Sequence, residues 1–387
     1  SFADATALVA AQKPEYPVYC VRPHVLRKTA EDFIAQFPGK VLYAVKCNPE
    51  DPFLHALYAG GIRHFDTASL VEIKQIKTLF PDAECYYMHP VKARSAVRAA
   101  YFEHGVRTFV VDHPDELEKV EQETDGARDL TLVVRLATAK GGAVYDLGGK
   151  FGATVEGAAA LLRAVEAKGH RVGLSFHVGS QCVTPASYGA ALELTREVLE
   201  MSGVRLSVID VGGGFPIAYV GVEPPPLSDY VEVIRAGLAQ LDLPPDCDVW
   251  AEPGRALVGA GASLVVRVEL RRGNQLYLND GVFGSLSDLN VPGCLPPMRL
   301  LPQTGGVAAG PLAEFSFFGP TCDSADRMKG PFLLPASVQE GDWIEIGQMG
   351  AYTTALRTQF NGFYPELFIH VDDPAYLPET ALLAAAE

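Results

Sequence analysis

The sequence predicts a (β/α)8 barrel followed by an all-β domain, and three observations carry that prediction. Eight short runs rich in β-branched and aromatic residues are each followed by a helical pattern. The first five begin about 22 residues apart, the length of one strand, one helix and two short loops. Past residue 260 the helical pattern gives way to β-like runs alone.

In chain order, the strands are expected at 41–46 (VLYAVK), 62–66 (IRHFD), 84–88 (ECYYM), 107–112 (RTFVVD), 130–136 (LTLVVRL), 172–177 (VGLSFH), 206–211 (LSVIDV) and 247–252 (CDVWAE). They are apolar on both faces, as strands of a parallel sheet covered by helices are. Eight β-then-α units are the count of a barrel, with a doubly wound open sheet as the alternative. Ser69 followed three residues on by Glu72 is a capping box, which starts a helix. Pro114 with Asp115 and Glu116 puts a helix-compatible proline and two acids in a first turn. The β-like runs of the second part lie at 262–270 (ASLVVRVEL), 274–280 (NQLYLND), 314–319 (EFSFFG) and 342–347 (DWIEIG).

Composition narrows the function class. The chain of 387 residues is 48% apolar and 20% charged, ordinary for a globular protein with ample material for a core. Its 32 Lys and Arg against 47 Asp and Glu give a formal charge of −15, with no basic cluster of the kind that phosphate backbones require. A nucleic-acid partner is therefore not expected. Arg267 interrupts the most apolar run before it reaches about 18 residues, so no membrane span is expected either. The N-terminal segment has no basic residues ahead of its short apolar stretch, which reads against a signal peptide. Seven scattered cysteines with no C-x-x-C pair argue against a disulfide framework or zinc ribbon, and favour a reducing, cytoplasmic setting.

In a barrel, chemistry gathers where strands end, at the C-terminal face. Ionisable residues collect at those ends here: Lys46, Asp66, His177 and Glu252, with Gly212–Gly214 after the seventh strand. Lys46 is either a lysine snorkelling from a strand end or an amine whose pKa is lowered by desolvation, able to form a Schiff base. The glycine triplet and the Gly254–Arg255 pair follow strands seven and eight, the two loops that frequently build a phosphate site in barrels. Ile217 replaces the third glycine of a dinucleotide fingerprint, and no Walker sequence is present. A lysine, a phosphate cradle and the Glu252 carboxylate together suggest pyridoxal phosphate, with Glu252 keeping the pyridine nitrogen protonated. Glu252 equally reads as a loop-capping carboxylate, and His177 as either a ring-stacking group or a hydrogen-bonded strand-end histidine.

The segments YAVKCN, FDTAS, SFHVGSQ, DVGGGFP, AEPGRALV, NDGVFGSL, FGPTCDSADRM and MGAYTTALRTQFNGF resemble the ornithine decarboxylase family, the barrel-type pyridoxal-phosphate decarboxylases. The likeness is collinear from about residue 41 to 363. It implies a barrel, which we place at 24–258, and a β-domain at 259–387 joined by residues 1–23. It also implies a homodimer with active sites shared between subunits. Carried over, it makes Lys46 the Schiff-base lysine, His177 the ring-stacking group and Glu252 the pyridinium partner. Ser180, Gly213, Gly214, Gly254, Arg255 and Tyr352 would bind the phosphate, with Asp66 and Glu72 beside the cofactor. Cys322 would return a proton to the substrate carbon after carbon dioxide leaves, and Asp323 would hold the distal amine; in the family both come from the partner subunit.

Two departures bear on substrate identity. Asp146 stands where the eukaryotic enzymes carry an arginine, and the segment after NDGVFGS is altered, leaving Asp288 and Asn290 as the nearest candidates for a second contact to the distal amine. Diaminopimelate decarboxylases usually carry Glu where Asp323 stands, and the long arginine decarboxylases carry insertions that this chain lacks. A racemase of the same barrel type would oppose an arginine, not Glu252, to the ring nitrogen. A non-catalytic, partner-binding homologue should have lost Lys46 or Cys322. The expected reaction is decarboxylation of a basic amino acid, ornithine first and lysine second.

Overall fold

The computed structural model describes residues 1–138, 143–145 and 149–378; Asp146 lies outside them. Eight parallel strands, Lys40–Ala44, His64–Thr67, Glu84–Tyr87, Thr108–Val111, Thr131–Arg135, Arg171–Ser175, Val208–Asp210 and Asp248–Ala251, close into a barrel in chain order. The last strand pairs with the first through Trp250 and Lys40, so the open-sheet alternative is excluded. Each strand corresponds to one expected from sequence, with ends within two residues of those expected, inward at most of them and outward at Lys40, Thr67 and Arg171.

Alternation along the strands explains how one barrel serves two cores. Leu42, Tyr86, Met88, Val110, Val133, Val208 and Trp250 point inward and form a closed plug. Trp250 meets Tyr86 edge-on, ring centroids 4.9 Å apart. Their outward neighbours, among them Tyr43, Phe65, Phe109, Leu132, Val134, Leu174 and Ile209, belong to the large cluster beneath the helices. Two residues beyond Val110, Val133, Val208 and Trp250 stand Asp112, Arg135, Asp210 and Glu252, so on these strands the inward positions become polar and turn the C-terminal mouth into a site.

Helices follow the strands at Asp51–Ala59, Leu70–Leu79, Arg94–Phe102, Pro114–Glu123, Val155–Ala167, Ala186–Ser202 and Leu227–Leu238. The eighth strand is followed only by the four-residue turn Arg255–Val258, and Pro23–Gln36, which precedes the first strand, packs there instead. The capping box forms at Ser69, whose Oγ accepts the Glu72 N–H at 3.2 Å. The Glu72 carboxylate reaches one residue beyond the expected cap and accepts the Ala68 N–H at 2.6 Å. Pro114 occupies the first helical turn as expected, with His113 as cap.

Past the barrel, six strands run in the order Met298–Leu301, Trp343–Ile346, Ala262–Arg272, Gln275–Leu278, Leu312–Phe318 and Arg327–Pro335. Val18–Val21 joins this sheet, antiparallel to Ala262–Val265 and parallel to Leu367–His370. Arg22, fully buried, leaves that strand and binds Glu345, Ser263 and Asp373. No helix among the described residues is long and apolar enough to cross a membrane.

Candidate active site

Lys46 stands not on the strand but in the 3-10 turn Val45–Cys47 that follows it. The strand stops at Ala44, whose N–H is taken by the Pro253 carbonyl at 3.1 Å, and the turn carries the lysine over the barrel mouth. Its Nζ donates to Asp66 Oδ2 at 2.7 Å. Burial pulls the amine down, but the Asp66 and Glu252 carboxylates more than offset it, and the net shift is upward. The expectation of an amine depressed by desolvation is therefore corrected. Lys46 is held as an ammonium because the same mouth that desolvates it also supplies carboxylates.

Glu252 lies one residue past the eighth strand, its N–H held by the Gly212 carbonyl at 2.8 Å. Burial, then the neighbouring Asp210 and Asp66, push its carboxyl well above the ordinary range, against the opposing pull of Lys46. His177 stands two residues beyond the sixth strand. Its Nδ1 accepts the Gly179 N–H at 3.0 Å, which places the ring proton on Nε2 when the ring is neutral. Burial, then Arg135 and Lys46, push the imidazole well below its usual range, so the ring is neutral. Glu72 is raised, chiefly by burial, with the Ala68 N–H opposing.

The glycine loop is shaped by what surrounds it. A Cβ on Gly213 would stand 2.6 Å from the Glu252 carbonyl oxygen and 3.0 Å from His177 Nε2. Gly214, at φ +104°, would put a Cβ 2.4 Å from the Gly179 oxygen, so only glycine fits there. Their carbonyls turn into the fold, to Tyr188 Oη at 2.8 Å and the Cys182 N–H at 2.8 Å. Their N–H groups give no hydrogen bond to another described residue. Ser180 opens the short strand Ser180–Cys182 beside them, and Gln181 braces it by bonding both the N–H and the carbonyl of Ile217.

Arg255, almost fully buried, forms the other half of this cradle. Its Nη1 donates to Tyr219 Oη at 2.7 Å and to Asp288 Oδ2 at 3.2 Å, and its guanidinium lies 5.0 Å from the Tyr352 ring centre. Burial opposes the charge, but Tyr219 and Asp288 outweigh it and hold Arg255 as a cation. Tyr352, at φ +58°, is fixed by its N–H to the Cys47 carbonyl at 2.9 Å. Gly254 packs so closely on the Lys46 turn that a Cβ would lie 2.9 Å from Cys47 Cβ. The lysine and the cradle are thus one rigid assembly.

Asp288 and Asn290 are already engaged. Asp288 Oδ2 pairs with Nη1 of the cradle's Arg255 at 3.2 Å. Asn290 bonds the backbone of Arg327 and Lys329 and so holds the edge of the second sheet. Cys322 and Asp323 stand exposed on the loop after Leu312–Phe318. Among the described residues neither makes a hydrogen bond or ion pair to the Lys46 cluster; the Cys322 N–H goes to Asn361 and Asp323 caps its own turn at Ala325. Their loop is shaped by buried Asp326, which accepts the N–H groups of Val282 and Thr321.

Sequence reasoning passed over Arg135 and Asp210, which end the fifth and seventh strands. Both act electrostatically on the site. Counting in twos from inward Val133 and Val208 finds each of them.

Residues 24–259 match the model of the pyridoxal-dependent decarboxylase family, specifically its pyridoxal binding domain. The lysine/ornithine decarboxylase of Selenomonas ruminantium is 35% identical over 346 residues, which cover 87% of this chain and 84% of that protein. The ornithine decarboxylase of Panagrellus redivivus is 33% identical, over 86% and 80% of the two chains. Among solved structures, the lysine/ornithine decarboxylase of Vibrio vulnificus in complex with cadaverine superposes with a TM-score of 0.80 at 31% identity, covering 96% of this chain and all of that one. With a barrel, a sheet domain and a lysine-centred mouth all in place, the chain belongs to the pyridoxal-dependent decarboxylases, enzymes whose cofactor is pyridoxal phosphate.

Proposed function

We propose that the protein decarboxylates a basic amino acid, with L-ornithine the preferred substrate and putrescine the product. The observation that carries this reading is the grouping of Lys46, Asp66, His177 and Glu252 at one barrel mouth, joined through the Lys46 turn to the Arg255 cradle. These residues fit pyridoxal phosphate. The N–H groups of Gly213 and Gly214, which give no hydrogen bond to another described residue, form an anion cradle with Ser180, Gly254, Arg255 and Tyr352. Neutral His177 suits the face of an aromatic ring, and Glu252 suits a ring nitrogen.

Bound pyridoxal phosphate supplies the sink for the electron pair left when the carboxylate departs. The chain's residues do the rest. Lys46 Nζ would hold the cofactor, and Asp66, which accepts from it at 2.7 Å, would hold its proton. Glu252 keeps a proton on the ring nitrogen, and His177 covers one face and excludes water. Cys322 Sγ delivers a proton to the substrate carbon, while Asp323 binds the distal ammonium as its counter-charge.

Cys322 and Asp323 reach such a substrate from a second copy, and the protein works as a homodimer with shared sites. Their exposure and their lack of bonds to the Lys46 cluster support this. Mixing the Lys46→Ala and Cys322→Ala variants, each nearly inactive, is then expected to restore up to about a quarter of wild-type activity through hybrid dimers carrying one intact site. No recovery after subunit exchange, verified by mass, would rule the shared site out. The seven unpaired thiols favour a reducing, cytoplasmic setting.

Lysine is the second reading, favoured by relatives named as lysine/ornithine decarboxylases. The two substrates differ by one methylene, worth about 1–3 kcal/mol. Measuring kcat/KM for ornithine, lysine, arginine and diaminopimelate tests the assignment. Ornithine should lead lysine by roughly 10-fold or more, and a dominant rate on diaminopimelate would sink the proposal. A protein that binds no pyridoxal phosphate at all would point instead to a partner-binding homologue.

A further inference from the structure

Asp210 closes the seventh barrel strand with its carboxyl on the inward face, fully buried. Its Oδ1 accepts the Gly212 N–H at 2.8 Å. Its Oδ2 meets no N–H donor among the described residues, and the group in hydrogen-bonding reach is the Glu252 carboxyl. Two carboxyls can bond to each other only when one of them carries a proton, and burial of both favours that state. Burial raises Asp210 to about 6, with the Gly212 N–H opposing, and raises Glu252 further. The other charges facing the pair are Asp66, Lys46 and Arg135.

The backbone repeats the link. Gly212 donates its N–H to the Asp210 carboxyl, and its carbonyl receives the backbone N–H of Glu252 at 2.8 Å, so one residue links the Asp210 side chain to the Glu252 backbone.

We propose that Asp210 is the positioning residue behind Glu252: it sets which Glu252 oxygen faces the barrel mouth, and its charge strengthens the hold of Glu252 on a proton at the cofactor's ring nitrogen. This rests on the reading that Glu252 faces that nitrogen. Asp210 itself touches neither substrate nor cofactor and acts only through Glu252. Its contribution is therefore confined to ligands that possess a ring nitrogen.

Affinity of the apoprotein, followed by fluorescence titration, separates this role from a structural one. The probes are pyridoxal phosphate and its isosteric analogue with C–H in place of the ring nitrogen. Wild type should prefer pyridoxal phosphate. In Asp210→Asn that preference should fall about tenfold, with affinity for the analogue unchanged. Should Asp210→Asn fail to fold, Asp210→Ser, which keeps an acceptor for Gly212, should show the same loss. An equal loss for both ligands, or no change in preference, would overturn the proposal. Glu252→Ala is the reference: if it leaves the preference intact, the reading of Glu252 itself fails, whereas loss there without loss in the Asp210 variants refutes only the role of Asp210.

Discussion

Replacing Lys46 with alanine is expected to lower kcat by roughly 10³-fold or more and to remove the visible absorbance of the cofactor-loaded protein. Among the described residues, no other amine bonds to Asp66, which holds Lys46 Nζ at 2.7 Å, and buried Lys92 is spent on the Glu116 carboxylate and on backbone carbonyls. The Lys46 side chain keeps 43% of its surface exposed but its partner Asp66 only 2%, so stability is followed separately from turnover. Steady-state kinetics beside an absorbance spectrum and a melting curve check all three parts. Turnover within tenfold of wild type, by a folded variant, would remove Lys46 from the mechanism.

The largest effect on stability is expected at Arg22. Its guanidinium is fully buried and spans three partners: Asp373 through two bonds of 2.9 and 2.8 Å, Ser263 at 3.0 Å and Glu345 at 3.3 Å. Arg22→Met fills much of the same volume but strips Glu345, itself fully buried, of one of its two cations, the other being Arg299. Breaking a buried pair from one side costs about 3–5 kcal/mol, because the remaining charge stays desolvated. The urea midpoint should fall accordingly. Adding Glu345→Gln to Arg22→Met should cost less than the sum of the two single changes, since the stranded charge is then gone. A loss below about 1 kcal/mol in Arg22→Met would show that water reaches this cluster.

The barrel was legible because its signal is repeated eight times. Apolar runs at even spacing leave little choice of architecture, and the inward and outward alternation reads directly from pairs such as Leu42 and Tyr43. Strand ends were harder to read. Lys46 sits in an apolar run that looks continuous, yet Ala44 is the last residue to pair, and its partner is Asp66 itself. The second sheet was read only where runs were long. Arg327–Pro335 carries Lys329, Gly330 and Pro331, which look like a turn, and its register comes from Leu312–Phe318. Val18–Val21 is four residues long and owes its place entirely to distant partners.

At the site, Lys46, His177 and Glu252 could be found as polar residues following apolar ones. Asp210 was hidden inside a glycine motif that drew attention to the phosphate instead. Cys322 and Asp323 carry no local signal at all, since an exposed cysteine beside an acid is chemically unremarkable, and only likeness to a family singled them out. Asp288 adds a contact that the sequence does not show, its bond to Arg255.

The pairing of Val21 with Ala262 and with His370 has a consequence for biosynthesis. The whole barrel is spliced into the sheet between one strand and the next, so Val18–Val21 leaves the ribosome well before either of its partners and waits for both. A barrel that folds on emergence shortens that wait by bringing the ends of its own segment together, converting a long loop closure into a short one. The order of events is then barrel first and sheet second, and the nascent strand Val18–Val21, apolar on both faces, is the stretch most in need of shielding until the ring behind it has closed.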